Sequence, residues 1–344
     1  MLPYYRHSAG RHDARHSHCE GTASNGGKND RLARNRRHRR DLRPIRCRRT
    51  RKYSELQHLS VSKYATLKDA LGEYLDALPR DMRPTRGALA VAGPVSGDEV
   101  KLTNLNWSFS IAALKADLNM CSLVVVNDFA ATAMSVPYLP EVDCYPIGQR
   151  QSKTSGPVGV IGPGTGLGVG TLVPDAGRWT LLPGEGGHST LPPATQAESL
   201  IIEALRTHWR HVSAARALSG AGLVNLYQAL RAIEGKRPDL LSPADVTDRA
   251  MRGNDQTCVK AFEVFCSMLG TVAGDLALTV GATDGIYIAG GILLRFKEAF
   301  ASSPFRERFE DKGRFQDYLR RIPTHLILEE SPALLGLANL PLEQ

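Results

Sequence analysis

The run Val124-Val125-Val126-Asn127-Asp128-Phe129 constrains this chain more than any other stretch. Leu123–Val126 is an uninterrupted apolar, β-branched segment, the pattern of a buried strand, and helical spacing follows Phe129. A strand buried on both faces needs helices above and below it, so an α/β sheet is implied. The junction also sets a carboxylate at a strand tip, where such sheets carry their active groups. Asp128 suits a general base there, and it equally suits a helix N-cap. Asn127 offers both a donor and an acceptor to a hydroxyl.

Two glycine-rich segments come next. Gly162-Pro163-Gly164-Thr165-Gly166-Leu167-Gly168 lies between two expected strands, Val158–Ile161 and Gly168–Val173. Gly164, Gly166 and Gly168 let backbone N–H groups approach an anion, and Thr165 adds a hydroxyl; a tight hairpin alone would use the same glycines. No Gly-Lys-Ser/Thr follows, so this is not a Walker loop. In Leu182-Pro183-Gly184-Glu185-Gly186-Gly187-His188, Glu185 can accept hydrogen bonds from vicinal hydroxyls and His188 can donate or accept one. No cysteine cluster accompanies the histidine, so no metal site is expected. Gly290-Gly291, between an expected strand and helix, suits either an adenosine or phosphate contact or a plain tight turn. A base, a phosphate cradle and a hydroxyl clamp, in that order, are the parts of a sugar kinase.

At 344 residues the chain is long enough for two lobes. Its six cysteines (19, 47, 121, 144, 258 and 266) are scattered without a Cys-x-x-Cys, as free thiols in a reducing cytoplasm would be. The charged N-terminus has no secretory pattern, and no apolar run of about 20 residues suggests a membrane partner. A cytoplasmic location is expected.

The net charge of +8 is unevenly placed. Residues 1–52 hold sixteen basic and four acidic side chains, a surplus of twelve, which leaves the remainder at −4. That segment also holds five of the ten histidines and has almost no apolar periodicity. It reads either as a disordered basic arm for nucleic acid or as a mistranslated segment. Codon arithmetic supports the second reading. If its arginines use CGN codons, Asn35-Arg36-Arg37-His38-Arg39 read one nucleotide later permits Ile-Gly-Gly-Thr-Asp. The same shift over Arg43-Pro44-Ile45-Arg46 permits Ala-Arg-Phe.

From Tyr53 onward the pattern is orderly. Thr66, with Asp69 three residues on, opens a helix whose stripe is Leu67, Leu71, Tyr74, Leu75 and Leu78. Ala88–Ala92 is an expected strand, Lys101–Leu105 with Trp107–Ser110 an extended hairpin arm, and Ile111–Asn119 a helix. Beyond Gln196 helical patterns dominate, over roughly 196–210, 213–218, 221–233, 243–252 and 254–279, before the strands Gly285–Ala289 and Thr324–Leu328. A mostly parallel or mixed sheet covered on both faces follows.

In combination these segments resemble the bacterial glucokinase family, within the actin-like, hexokinase-like group. The likeness runs from about Ser54 to Gly336. It rests also on Ala92-Gly93-Pro94-Val95-Ser96-Gly97-Asp98, Thr103-Asn104-Leu105-Asn106-Trp107, Leu218-Ser219-Gly220, Phe309-Glu310-Asp311-Lys312-Gly313-Arg314-Phe315 and Pro332-Ala333-Leu334-Leu335-Gly336. The resemblance implies a two-lobed α/β actin-like (RNase H-like) fold with mixed sheets and a mainly helical insertion in the large lobe. It implies a small lobe over 53–138 with a C-terminal part 322–344, and a large lobe over 139–321. The implied activity is ATP-dependent phosphorylation of glucose at its 6-hydroxyl, the entry step of glycolysis, with Mg2+ on the ATP. By the same resemblance Asp128 is the base, while Asn104, Asn127, Glu185 and His188 contact sugar. Gly164, Thr165, Gly166 and Gly168 form the second phosphate loop, Gly290 and Gly291 the adenosine-side motif. A homodimer is also implied.

Two departures stand out. The family's first phosphate motif, an Asp with Gly-Gly-Thr near the N-terminus, is replaced by the arginine-rich segment. The family pattern His-Val-Ser-Ala-Glu-Arg appears as His211-Val212-Ser213-Ala214-Ala215-Arg216, so Ala215 stands where a sugar-binding Glu is expected. The alternatives are a sugar-binding or regulatory homologue with impaired catalysis, and a nucleic-acid binder acting through the basic segment.

Overall fold

The computed structural model describes residues 57–102, 105–149 and 154–342. The arginine-rich segment 1–52 and Asn104 lie outside the described residues.

One core gathers around a two-stranded parallel sheet. Helix α1 (Leu67–Asp76) opens with the expected capping box: Thr66 Oγ1 accepts the Asp69 N–H at 3.2 Å, and the Asp69 carboxylate accepts the Thr66 N–H at 3.0 Å. Such a cap contributes about 1 kcal/mol. Strand β1 (Arg86–Val91) leads to a short hairpin of β2 (Glu99–Lys101) and β3 (Ser108–Ser110), then to helix α2 (Ile111–Asp117). Asp98 fixes the start of α2, accepting the Ser110 hydroxyl and the Ala112 N–H. Strand β4 (Ser122–Asn127) pairs parallel with β1, from Arg86 opposite Ser122 to Val91 opposite Asn127, and runs straight into α3 (Asp128–Ser135). Leu67, Leu71, Leu89, Val100, Trp107, Leu114 and Val125 are buried together beneath these elements.

The second body is built on six strands: β5 (Cys144–Pro146), β6 (Val158–Pro163), β7 (Leu167–Asp175), β8 (Arg178–Gly184), β9 (Gly285–Ile288) and β10 (Thr324–Ile327). Their order is β5-β10-β9-β6-β7-β8, with β10, β9 and β6 parallel and the outer strands antiparallel. The mixed sheet is as expected. Strand β8 is not among the expected strands: it is an edge strand that ends on Leu182-Pro183-Gly184, where a proline costs no ladder bond on its open side.

Between β8 and β9 come α4 (Gln196–Arg206), α5 (Ala214–Ala217), α6 (Gly220–Ile233), α7 (Pro243–Arg252) and α8 (Gln256–Val280). This is the mainly helical insertion. Contrary to the expectation of no span-length apolar run, α8 is long and apolar enough to cross a membrane by length and composition. It is instead mostly buried: Ala261, Phe265, Leu269, Ala273 and Ala277 pack into the core shared with α6, α7 and α11 (Phe305–Glu310). Short helices α9 (Gly291–Arg295), α10 (Lys297–Ala301) and α12 (Gln316–Arg320) complete that layer.

The C-terminal segment divides. Residues 322–344 were expected with the small lobe, but β10 lies between β5 and β9, because its apolar run Leu326-Ile327 needs two strand neighbours to be buried. Only α13 (Pro332–Leu337) and the residues after it reach β1, where Leu337 and Leu342 meet Ala88 and Ala90. Helix α13 packs on α3 so closely that a Cβ added to Gly336 would lie 1.7 Å from the Ala131 carbonyl oxygen. Helix α3 therefore serves both bodies. Ala131 faces β1 and α13, while Ala133 and Met134 join Val158, Val160 and Leu172 of the large sheet.

Candidate active site

The β4–α3 junction is assembled by Asn127, not by Asp128. Asn127 is the N-cap of α3, and its Oδ1 accepts the N–H groups of Phe129 at 2.8 Å and Ala130 at 3.2 Å. Its Nδ2 donates to the Gly93 carbonyl at 3.0 Å, drawing the end of β1 to the end of β4. Asp128 is the first helical residue, so the N-cap reading of its carboxylate does not hold. For Asn127 these bonds use both oxygen lone pairs and one amide hydrogen. One N–H remains for a sugar.

Asp128 is exposed, and its carboxylate accepts the N–H of Phe129 at 2.8 Å. Although water reaches it, it sits in a recess of protein atoms. That desolvation pushes its pKa above the ordinary carboxylate value; the Phe129 amide pulls the other way, and the Glu185 charge adds to the rise. A carboxylate so placed is a better proton acceptor than a free aspartate.

The glycine turn lies close to this junction, because Phe129 packs against Gly162 and Gly168 on the two strands that flank it. Residues 164–166 are exposed, and a Cβ at Gly164 or Gly166 would meet open space. The Gly164 N–H is spent within the turn, on the Gly166 carbonyl at 2.8 Å, so Gly164 offers no amide to an anion. The amides of Thr165 and Gly166 have no hydrogen bond among the described residues and are the available donors. Gly168 has a different reason to be glycine: a Cβ there would lie 2.2 Å from the Phe129 ring. Its bare Cα makes room for that ring, a demand invisible in sequence because a strand glycine and a turn glycine look alike.

Two further segments close on this turn. Gly290, at φ +134°, approaches β6 so nearly that a Cβ would lie 2.3 Å from the Pro163 carbonyl oxygen, while Gly291 faces open space. The start of α6 was quoted in the resemblance without a role, and it joins the site: the Gly220 N–H donates to the Gly164 carbonyl at 2.8 Å. Ser219 caps that helix through the Gly222 N–H at 3.0 Å. A Ser before an apolar helical stripe was the legible signal. The N-terminus of a 14-residue helix thus abuts the turn, and its positive end favours anions.

Glu185 and His188 follow β8, whose last residue Gly184 pairs with Val169 at the turn end of β7. Gly187 lets this loop lie against Leu167, whose carbonyl oxygen would be 1.9 Å from a Cβ. Both side chains are open to solvent, with His188 Nε2 3.9 Å from Glu185 Oε2, too far for a hydrogen bond. Their polar atoms are free for a ligand. Helix α5, carrying Ala215, packs on this loop, and the Ala214 N–H donates to the Ser189 carbonyl at 2.8 Å. Among the described residues no three His, Cys, Asp or Glu side chains gather to hold a metal, and cysteines 121, 144, 258 and 266 form no disulfide.

The chain is similar to known proteins over most of its length. The family model described as Glucokinase matches residues 26–343. A glucokinase of Nitrobacter hamburgensis is 91% identical over 292 residues, covering 85% of this chain and 91% of the relative. A glucokinase of Chromobacterium violaceum is 46% identical over 280 residues, 81% of this chain and 80% of the relative. Among solved structures, a glucokinase from an Antarctic psychrotroph superposes with a TM-score of 0.73 at 37% identity, covering 80% of this chain and 86% of that one. The glucokinase of Balamuthia mandrillaris, at 21% identity and a TM-score of 0.64, shares the fold. With a matching family model over most of its length and close relatives over nearly all of theirs, the chain belongs to the glucokinase family.

Proposed function

We propose that the chain transfers the γ-phosphoryl group of ATP to the 6-hydroxyl of glucose, with Asp128 as general base. One observation carries this reading: three separate chain segments adjoin, with Phe129, next to Asp128, packed against Gly162 and Gly168 on the strands flanking the glycine turn, and the Glu185–His188 loop laid on Leu167 at the end of that turn. Glu185, His188 and the remaining Asn127 N–H hold the sugar hydroxyls. The Asp128 carboxylate accepts the proton of the 6-hydroxyl as its oxygen bonds to the γ-phosphorus. The bond from phosphorus to the β–γ bridging oxygen breaks, ADP departs, and the proton passes from Asp128 to solvent.

The amides of Thr165 and Gly166, the start of α6 and the open face of Gly291 lie along the nucleotide side. Mg2+ would enter with ATP as the MgATP substrate and would offset the charge on its phosphates. Ionisation of Asp128 is required, so the rate falls as pH drops through its raised pKa. The reaction's site is the cytoplasm, where ATP is supplied.

The test is a coupled assay for glucose 6-phosphate with MgATP and glucose. It is run on the chain as written and on a version with the Asp and Gly-Gly-Thr motif restored. Turnover by the restored protein is expected, and faster than by the chain as written. Glucose binding by calorimetry without ADP release from either protein would replace this reading with the sugar-binding one.

A further inference from the structure

We propose that Phe129 is the positioning residue for Asp128: its ring sits in a socket made by paired glycines of the phosphate hairpin, fixing the base relative to the phosphate turn. The proposal rests on Asp128 being the base. Asp128 and the turn belong to different sheets. Asp128 follows β4 of the two-stranded sheet, whereas the turn joins β6 and β7 of the six-stranded one. Something must hold their separation, because near-attack geometry tolerates little error: about 1 Å of misplacement costs on the order of 100-fold in rate.

The Asp128 carboxylate cannot supply this itself. Among the described residues it accepts no hydrogen bond from another side chain, and its partners are backbone amides of the same turn, those of Phe129 and of Asp128 itself. Its place is therefore set by the backbone of 127–129. That backbone is held at one end by the Asn127 cap and at the other by the Phe129 ring. Gly162 and Gly168 face each other across the β6–β7 ladder. A Cβ at Gly162 would lie 2.6 Å from the ring and 2.8 Å from the Ala289 carbonyl oxygen, and one at Gly168 2.2 Å from the ring, so a side chain at either position displaces the ring. A further residue along β7, Gly170 would bring a Cβ to 3.0 Å from Ala133 and 4.0 Å from Phe129. Small residues on both strands thus make room for one helix edge, and the largest group on that edge neighbours the base. A ring that merely filled core would need no opposed glycine pair.

The experiment uses the full chain in which turnover is measured, with two sets of variants. Phe129→Leu keeps an apolar side chain but empties part of the socket. It should lower kcat about tenfold or more while KM for glucose stays within about twofold, and move the acid limb of the kcat–pH profile. An unchanged kcat per folded molecule, or a change in KM alone, overturns the positioning role.

Gly168→Ala, Phe129→Ala and their double variant are then melted. Gly168→Ala should lower the midpoint alone but add no further loss in the Phe129→Ala background, whereas additive losses overturn the socket. Glucose binding without turnover by both the chain as written and its motif-restored version ends the functional reading, and the positioning role with it. Active wild type with an indifferent Phe129 ends only this proposal.

Discussion

At the scale of single residues, Asp128 illustrates how function and stability oppose each other. Its pKa is raised in the folded protein, chiefly by desolvation. The fold therefore favours the protonated form: the stability it contributes is complete below the unfolded carboxylate pKa and is lost as pH rises through the folded value. At neutral pH the ionised group is a burden. Asp128→Asn should cut kcat by about 10²–10⁴-fold. It should leave the thermal midpoint at pH 7 unchanged or higher, since an amide oxygen still accepts the Phe129 N–H, and the difference in midpoint should vanish towards acid pH. Paired kinetics and melting curves check both halves.

Ala215 supplies a second residue-scale prediction. Its helix packs against the Glu185–His188 loop. A charged hydrogen bond contributes about 1.5–3 kcal/mol, so Ala215→Glu should tighten glucose binding by about one to two decades. Titration calorimetry reads this directly.

At the scale of elements, the glycines of one hairpin separate into two classes. Gly164 faces open space with an ordinary backbone, so Gly164→Ala should keep the melting midpoint within about 2 °C of wild type, a shift of under about 0.5 kcal/mol. The added methyl would stand where phosphate approaches, so KM for ATP should rise. Gly168→Ala should do the reverse, losing about 1–3 kcal/mol by overpacking against Phe129. Denaturant melts with ATP kinetics separate the two. Elsewhere the elements behave as their local chemistry dictates: capping boxes start α1 and α7, and α8 ends at Gly281 in the left-handed region.

At the scale of the whole molecule, α3 and α13 tie the two sheets together. The Gly336–Ala131 approach leaves no room for a methyl, and the obstacle is a backbone oxygen that cannot swing aside. Gly336→Ala should cost about 3 kcal/mol or more and lower kcat as well, because α3 carries Asp128. Equilibrium denaturation followed at constant folded fraction distinguishes the two effects. A buried ion pair braces the helical layer: Arg308 meets Glu198 through two bonds of 2.8 and 3.2 Å, and Glu198 also accepts the Ala194 N–H at 2.7 Å. Removing one partner leaves a buried charge alone, so Arg308→Met should destabilise by about 3–5 kcal/mol with little change in the activity of the molecules that remain folded.

The order of chemistry was already present in the chain. An apolar run into Asn127-Asp128, a glycine turn and Glu185-x-x-His188 are local patterns, and local patterns are what residue spacing encodes. The capping box at Thr66, the long helix over 256–280 and the mixed sheet were legible for the same reason. What spacing cannot encode is which distant segment comes to lie alongside.

The division of labour at Asn127 and Asp128 depends on the Gly93 carbonyl, the reason for Gly168 is a ring 39 residues earlier in the chain, and β10 joined the large sheet because its apolar residues needed two strand neighbours. Each is a long-range packing decision, made by excluded volume and hydrogen-bond satisfaction once the elements meet.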